Sequence, residues 1–531
     1  MSKDPREDEP GSSRPRRAFL KGVSVAAGLA VIPDVALSRT TASAPAAHTP
    51  GGEIVALDAR QLSAAIQGRS VSCVEVMQAY LDHIDRLNPR FNALVSRPDN
   101  EGLLAEAARR DAELDRGKVR GWMHGFPHAP KDLADARGLV TSNGSPIFRD
   151  NVAAEDSVHI ARIRDAGAIM IGKTNVPEFG MGSQTYNPVF GPTYNAWDGA
   201  STAGGSSGGA AAALALKMVP VADGSDFMGS LRNPAGYNNV IGFRPTPGLV
   251  PLTDMFVEQL PCNGPMGRTV SDTALLLSMM AGYTAGKPTS LEGDPARFTA
   301  PLSRDFSGTR IGWLGDFNGY LAMESGVLGL CEQALKAFRD IGCKVESASV
   351  DFSMPELWQT WLVFRHWLSR GKLLPLYNDP ALRAQLKPEV LWEAEGGGKL
   401  SADQVYHASQ RRAVWYRALL KAFETYDFLV LPSAQLFPFD ADIHWPKTIA
   451  GRPMDTYHRW MEVVVPGTLS GCPVINVPAG FGRDGLPMGL QVIAPRHQDF
   501  AALQVAYAYE QASQWNLRHS PPALTGDEGA A

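Results

Sequence analysis

Apolar positions recur at helical spacing early in the chain and give way to short continuous apolar runs further on. Met77, Tyr80, Leu81, Ile84 and Leu87 fall on one face of a helix expected over residues 72–87. Ser72-Cys73-Val74-Glu75 reads as a capping box at its start, and Asn88-Pro89 is expected to end it. Residues 58–67 and 101–115 read as two more helices, the second rich in alanine and charged on its outer side. Apolar runs bounded by Gly and Pro mark strands at 168–172, 219–222, 310–314, 344–347, 428–431, 474–477 and 489–493. Helices are expected between them at 157–166, 210–218, 273–281, 326–341 and 500–513. Such interleaving predicts an α/β fold with a large mixed, mostly parallel β-sheet core flanked by helices.

One region has a different texture. Seven of the eleven tryptophans lie between residues 355 and 460, in a helical stretch that interrupts the α/β pattern. Helix packing explains them, and an aromatic wall over a pocket is the alternative. The elements on either side read as parts of one sheet. The expected organisation is a leader over 1–46, a linker over 47–56, one domain over 57–520 with a helical insertion at about 355–460, and a disordered tail over 521–531.

Composition narrows the function classes. With 531 residues, 44% of them hydrophobic, the chain can bury a large core. A net charge of −5 with no basic stripe argues against a nucleic-acid partner. Cys73, Cys262, Cys331, Cys343 and Cys472 have no CxxC spacing and read as small buried hydrophobes rather than metal ligands or a disulfide framework. Arg16-Arg17-Ala18-Phe19-Leu20-Lys21 followed by the apolar run 22–33 resembles a twin-arginine export signal, too short to span a bilayer. Export to the periplasm, with no stable membrane insertion after signal removal, is therefore the expectation. A mature protein that still begins at Met1 and stays in the cytoplasm would overturn it.

The candidate chemistry lies in residues 203–234. Gly204-Gly205-Ser206-Ser207-Gly208-Gly209 sets four glycines around two serines. A helical run and an apolar strand then lead to a second turn, Gly224-Ser225-Asp226-Phe227-Met228-Gly229-Ser230, before Leu231-Arg232-Asn233-Pro234. Two serine-bearing turns brought together by a helix and a strand suggest nucleophilic chemistry. An alcohol needs a base, and there is no Gly-x-Ser-x-Gly elbow with an assignable histidine. A neutral lysine can serve if burial lowers its pKa.

The order and spacing of these pieces resemble the amidase signature family of Ser-Ser-Lys amide hydrolases. Supporting matches are Lys131-Asp132, Gly172-Lys173-Thr174-Asn175 with Pro177-Glu178-Phe179, Gly264-Pro265-Met266, and Leu486-Pro487-Met488-Gly489-Leu490-Gln491, so the likeness runs from about residue 55 to 515. The resemblance implies that Ser230 is the nucleophile, Ser206 the bridging serine after a cis Gly205-Ser206 bond, and Lys131 the base. Ser207 is the weaker candidate for the bridge. It further implies an oxyanion hole of backbone N–H groups from Phe227, Met228, Gly229 and Ser230, with Gly205, Ser207, Asp226 and Arg232 in support. No metal and no cofactor is implied. Met228 stands where the family commonly has glycine, which implies a differently shaped, narrower acyl site. Asp132 is expected to point away from Lys131.

The implied activity is hydrolysis of a linear carboxylic acid amide, a small molecule, to acid plus ammonia or amine through a seryl acyl-enzyme. Alternatives are a less usual C–N bond (cyclic amide, urea-type or carbamate) and, remotely, a non-catalytic binding protein on the same fold. Glutaminase work in a tRNA-amidating complex also fits the family but not an exported chain. A homodimer is compatible with the sequence. Three rivals are weaker. The glycine-rich turn lacks the Gly-Lys-Ser/Thr of a phosphate loop. Gly and Pro between His124 and His128 argue against a helical metal pair. Lys173, the rival base, reads as structural.

Overall fold

The computed structural model describes residues 51–482 and 484–526, all within one compact unit. The expected leader over 1–46 lies outside the described residues. Eight strands make the central sheet: β1 (Val221–Asp226), β2 (Ile241–Arg244), β3 (Cys262–Gly267), β4 (Arg310–Trp313), β5 (Lys344–Ser347), β6 (Phe428–Pro432), β7 (Val474–Phe481) and β8 (Pro487–Ile493). Their order across the sheet is β1-β3-β2-β7-β8-β6-β4-β5. The mixed α/β architecture is as expected, but the balance of strand directions is not. Only β4 with β6 and β4 with β5 run parallel, whereas the other five pairings are antiparallel. Hairpin-like neighbours such as β7 and β8 need no crossover helix, and a short apolar run reads alike in either direction.

Three more expectations change. Helix α1 (Cys73–Phe91) keeps its Ser72–Glu75 capping box but continues through Pro89 to a left-handed Asn92. Proline in the last turn removes one donor only, and Asn88 Oδ1 accepts from the N–H groups of Ala93 and Leu94, so the end is tied by a side chain. The linker is already structured by Gly51–Ala56, a helix that buries Ile54 and Val55. The tail is ordered as far as 526, because Pro522 starts the helical turn Pro522–Thr525 and Ala523 packs on the main core.

The elements that carry the site sit at the β1 edge. Helix α2 (Val158–Asp165) and helix α3 (Gly208–Ala215) lie near it, and every residue of α3 is buried. Small side chains let α3 pack closely on β1 and on the chain at Ala93 and Asn175, where a Cβ on Gly209 would come within 2.3 Å of Asn175 N. Strand β3 is a strand that the sequence pattern did not show, since Gly264-Pro265 reads as a turn. Glycine is required there because a Cβ would come within 2.2 Å of the Phe243 carbonyl oxygen.

The tryptophan-rich region is mainly helical, with α4 (Met354–Asn378), α5 (Pro388–Gly398) and α6 (Ala402–Phe423). Trp358, Trp361, Trp415 and Trp460 are all but fully buried, so packing accounts for most of the aromatic excess. Trp361 also reaches the loop after β1, meeting Phe227 edge-on at 5.5 Å. All five cysteines are buried and free. Among the described residues no helix is long and apolar enough to cross a membrane.

Candidate active site

Lys131 lies in irregular chain that makes a single bridge to Thr174. Its side chain is buried, and Nζ stands 2.9 Å from Ser206 Oγ, 2.8 Å from Ser207 Oγ and 3.0 Å from Ser225 Oγ. The bond between Gly205 and Ser206 is cis. Burial lowers the pKa of Lys131 to about 7, with Asp223 and then Asp226 pulling the other way. A lysine that is half neutral near pH 7 can accept a proton from a hydroxyl.

Ser230 sits on the turn that follows β1, 6% exposed, and its hydroxyl makes no hydrogen bond with the described residues. Ser206 and Ser230 are not hydrogen-bonded to each other, and Lys131 Nζ touches Ser206 and Ser207 equally closely. Ser207 differs in that its hydroxyl also donates to the Ser225 carbonyl at 3.3 Å, whereas Ser206 has Lys131 as its side-chain partner. Distance alone does not separate the two serines as the bridge, but Ser207 is the one held by main chain.

The turn that bears Ser230 is built on Asp226. Its Oδ1 accepts from Gly229 N–H at 2.8 Å, and Oδ2 accepts from Leu231 N–H at 3.2 Å. Gly229 has φ +84°, and a Cβ on it would come within 2.8 Å of Val464, so neither conformation nor space allows another residue. Arg232 grips the same carboxylate through Nε and Nη2, both at 3.0 Å, and donates onward to the Val464 carbonyl, Gln491 and Thr468. Arg244 donates to the Asp226 carbonyl at 2.6 Å. Burial alone would raise the pKa of Asp226, but the two guanidiniums outweigh it and hold the carboxyl well below the usual carboxylate range.

This arrangement corrects the expected oxyanion hole. Gly229 N–H is occupied by Asp226, so the donors of this loop without an acceptor among the described residues are those of Phe227, Met228 and Ser230. The Met228 side chain is 4% exposed and belongs to the main core cluster.

Other expected groups fall where the sequence placed them. Asp132 turns from Lys131 to accept from Ser142 and Gly144. Lys173 donates to the Ala134 carbonyl and Thr141, away from the serines, and lies 4.0 Å from Asp132. His124 bonds main-chain groups of Arg110 and Arg120. Sequence reasoning missed Arg244, Ser225, and the cluster of His128, His159 and Asp223 behind Lys131. The alternation of Asp223 and Ser225 along β1 is the one local signal that could have drawn attention to that strand face.

Known proteins share this fold. A protein-family model described as Amidase matches residues 75–503. The chain belongs to the amidase family. It is 32% identical over 465 residues to an acylamidase of Rhodococcus erythropolis, covering 86% of this chain and 96% of that protein. It is 33% identical over 485 residues to a glutamyl-tRNA(Gln) amidotransferase chain of Methylococcus capsulatus, covering 86% and 97%. Among solved structures, a bacterial aryl acylamidase of the amidase signature family superposes with a TM-score of 0.82 at 26% identity, over 90% of this chain and 99% of that one. Membership in this amidase family makes the chain an amidohydrolase.

Proposed function

We propose that this amidohydrolase cleaves a linear carboxylic acid amide to the acid and ammonia or an amine, through an acyl-enzyme on Ser230. The observation that carries the reading is the buried Lys131 amine within 2.9 Å of Ser206, beside a turn that leaves the Ser230 hydroxyl unbonded. Neutral Lys131 takes the Ser206 proton as Ser206 takes that of Ser230, and Ser230 Oγ forms a bond to the amide carbon. Apo enzymes commonly hold such relays long and tighten them in the substrate complex, so the absent Ser206–Ser230 bond is compatible with this path.

Negative charge then gathers on the former carbonyl oxygen. Each N–H aimed at it contributes on the order of 3 kcal/mol, and Phe227, Met228 and Ser230 have theirs to give. The proton returns along the same path to the departing nitrogen, the C–N bond breaks, and water releases the acid by the same relay run on the ester. Phe227, Trp361 and the Arg365 guanidinium 4.8 Å above the Phe227 ring support an apolar or aryl group beside the scissile bond.

Release of ammonia or amine from aliphatic, aryl and peptide amides tests this with wild type and Ser230→Ala. The variant is expected to lose at least about 10⁴-fold in kcat. Equal rates in the two proteins would remove Ser230 from the reaction.

A further inference from the structure

Beside Lys131 the structure buries a second carboxylate. Asp223 is 1% exposed and lies on the same face of β1 as Ser225, two residues on, as strand alternation requires. That one face holds Lys131 at both ends. The Lys131 main-chain N–H lies 3.3 Å from each Asp223 oxygen, and Nζ lies 3.0 Å from Ser225 Oγ. Two histidines close on the carboxylate from other segments. His128 Nε2 is 3.1 Å from Oδ1, and His159 Nε2, on α2, is 3.5 Å from Oδ2. Both are buried, His128 Nδ1 has no partner among the described residues, and His159 Nδ1 faces the Asn263 amide at 3.3 Å. A cavity of about 90 Å³ runs along this face, lined by Lys131, Asp223, Ser225, His159, Asn263 and Lys287 among others, and by neither Ser206 nor Ser230.

An amide oxygen would satisfy the Lys131 N–H as well as a carboxylate does, so hydrogen bonding alone does not call for a charge here. Burying one is costly unless it is used. The charges that reach Lys131 are Asp223 and Asp226. Asp226 is already matched by Arg232 and Arg244, whereas Asp223 has the two histidines and, further off, Lys173. Lys287, on the cavity wall, is paired with Asp254. We infer that Asp223, hydrogen-bonded to His128 and with His159 Nε2 3.5 Å away, is a positioning residue for Lys131 that fixes its main chain and sets how readily its amine keeps a proton. The inference rests on Lys131 acting as base in the reaction proposed above.

The test follows the Lys131 amine by NMR of lysine-labelled protein, with the signal assigned by its loss in Lys131→Met, alongside the acid limb of kcat/KM. Removing a negative charge makes the ammonium less stable, so Asp223→Asn is expected to move both titrations down by about one pH unit. His159→Leu removes a partner that offsets the carboxylate, whether the ring is neutral or charged, and is expected to move them up by a smaller amount. A folded Asp223→Asn protein whose Lys131 titrates at the wild-type pH overturns the inference. If that variant does not fold, His159→Leu decides alone, with an unmoved titration again the overturning result. A Ser230→Ala protein that keeps its activity while the Lys131 signal still shifts in Asp223→Asn would sink the proposed reaction and leave the array standing.

Discussion

Strand β1 carries two fully buried carboxylates three residues apart, and they are held in opposite ways. Asp226 is locked by the Arg232 and Arg244 guanidiniums, and it spends its remaining capacity on the N–H groups of Gly229 and Leu231. Asp223 faces imidazoles instead, with His128 Nε2 at 3.1 Å and His159 Nε2 at 3.5 Å, and the main chain of Lys131. The first arrangement fixes the turn that bears Ser230. The second adjoins Lys131, the group that gains and loses a proton in the proposed reaction. One strand thus supplies a rigid end and a less tightly gripped one, and the difference lies in which side chains face each carboxylate.

The largest way to break this contrast is at the rigid end. Asp226→Asn leaves two buried guanidiniums without their counter-charge, and breaking a buried pair in this way costs about 3–5 kcal/mol. Asp223→Asn keeps an acceptor for Lys131 N–H and leaves no arginine unpaired, so its cost is expected nearer 1–3 kcal/mol. Denaturant unfolding of the two variants at neutral pH checks the ranking. Equal losses would mean that the two carboxylates play the same structural part. The pH dependence sharpens it. Asp226 titrates well below the ordinary carboxylate range when folded, so its contribution is complete above the unfolded value near 3.8 and is lost as pH falls through the folded one. Acid unfolding should therefore begin below about pH 4 in wild type, and Asp226→Asn should lose that sensitivity in part.

Lys131 offers the next largest effect, and its sign is the reverse of most active-site changes. Its folded pKa is about 7 against 10.5 for the ordinary side chain, so between those values the unfolded chain binds the extra proton and stability rises with pH. Below pH 7 the full cost of that burial is present. Lys131→Met removes it at the expense of hydrogen bonds to three serines. The variant is expected to be inactive yet more stable at pH 7 by an amount on the order of 2 kcal/mol, with a flatter stability curve between pH 7 and 10. Thermal unfolding across that range measures it. A variant less stable than wild type at every pH would show that the serine contacts outweigh the burial cost.

How much of this could be read from sequence follows from how local each signal is. The two glycine and serine turns, the capping box at Ser72 and the helix after Ser157 are written in neighbouring residues, and they appear where expected. Lys131, Ser206 and Ser230 came from motif spacing, which orders roles along the chain but cannot measure a distance. Asp223 carries no local signal because its partners are 95 residues away at His128 and 64 away at His159, and such contacts leave no mark on either segment. His128 stands out in the sequence only as half of a metal pair that glycine and proline argue against. The direction of the strands was equally hidden, since pairing depends on the path between them. The Gly229 N–H, expected in the oxyanion hole, is bonded to Asp226, a competition visible only once the carboxylate is placed.

The smallest expected effect probes whether the helical insertion reaches the rigid end. Arg365 on α4 donates to Glu393 on α5 at 2.9 Å and to Tyr457 at 3.1 Å, and its guanidinium lies over Phe227, one residue beyond Asp226. Trp361, one turn earlier on α4, meets the same ring edge-on. These contacts are the route by which the insertion touches the oxyanion loop, and no such route runs to Asp223 among the described residues. Phe227→Leu keeps bulk and loses the aromatic pairing and the cation contact, each worth on the order of 1 kcal/mol. Because Asp226 fixes the loop independently, kcat on a small aliphatic amide should change less than about threefold. Preference for aryl over aliphatic amides, measured as a ratio of kcat/KM, should fall several-fold, since one methylene-scale change in an apolar pocket is worth roughly 1–3 kcal/mol. An unchanged ratio would mean that the Phe227 ring packs the insertion against the loop and takes no part in choosing the substrate.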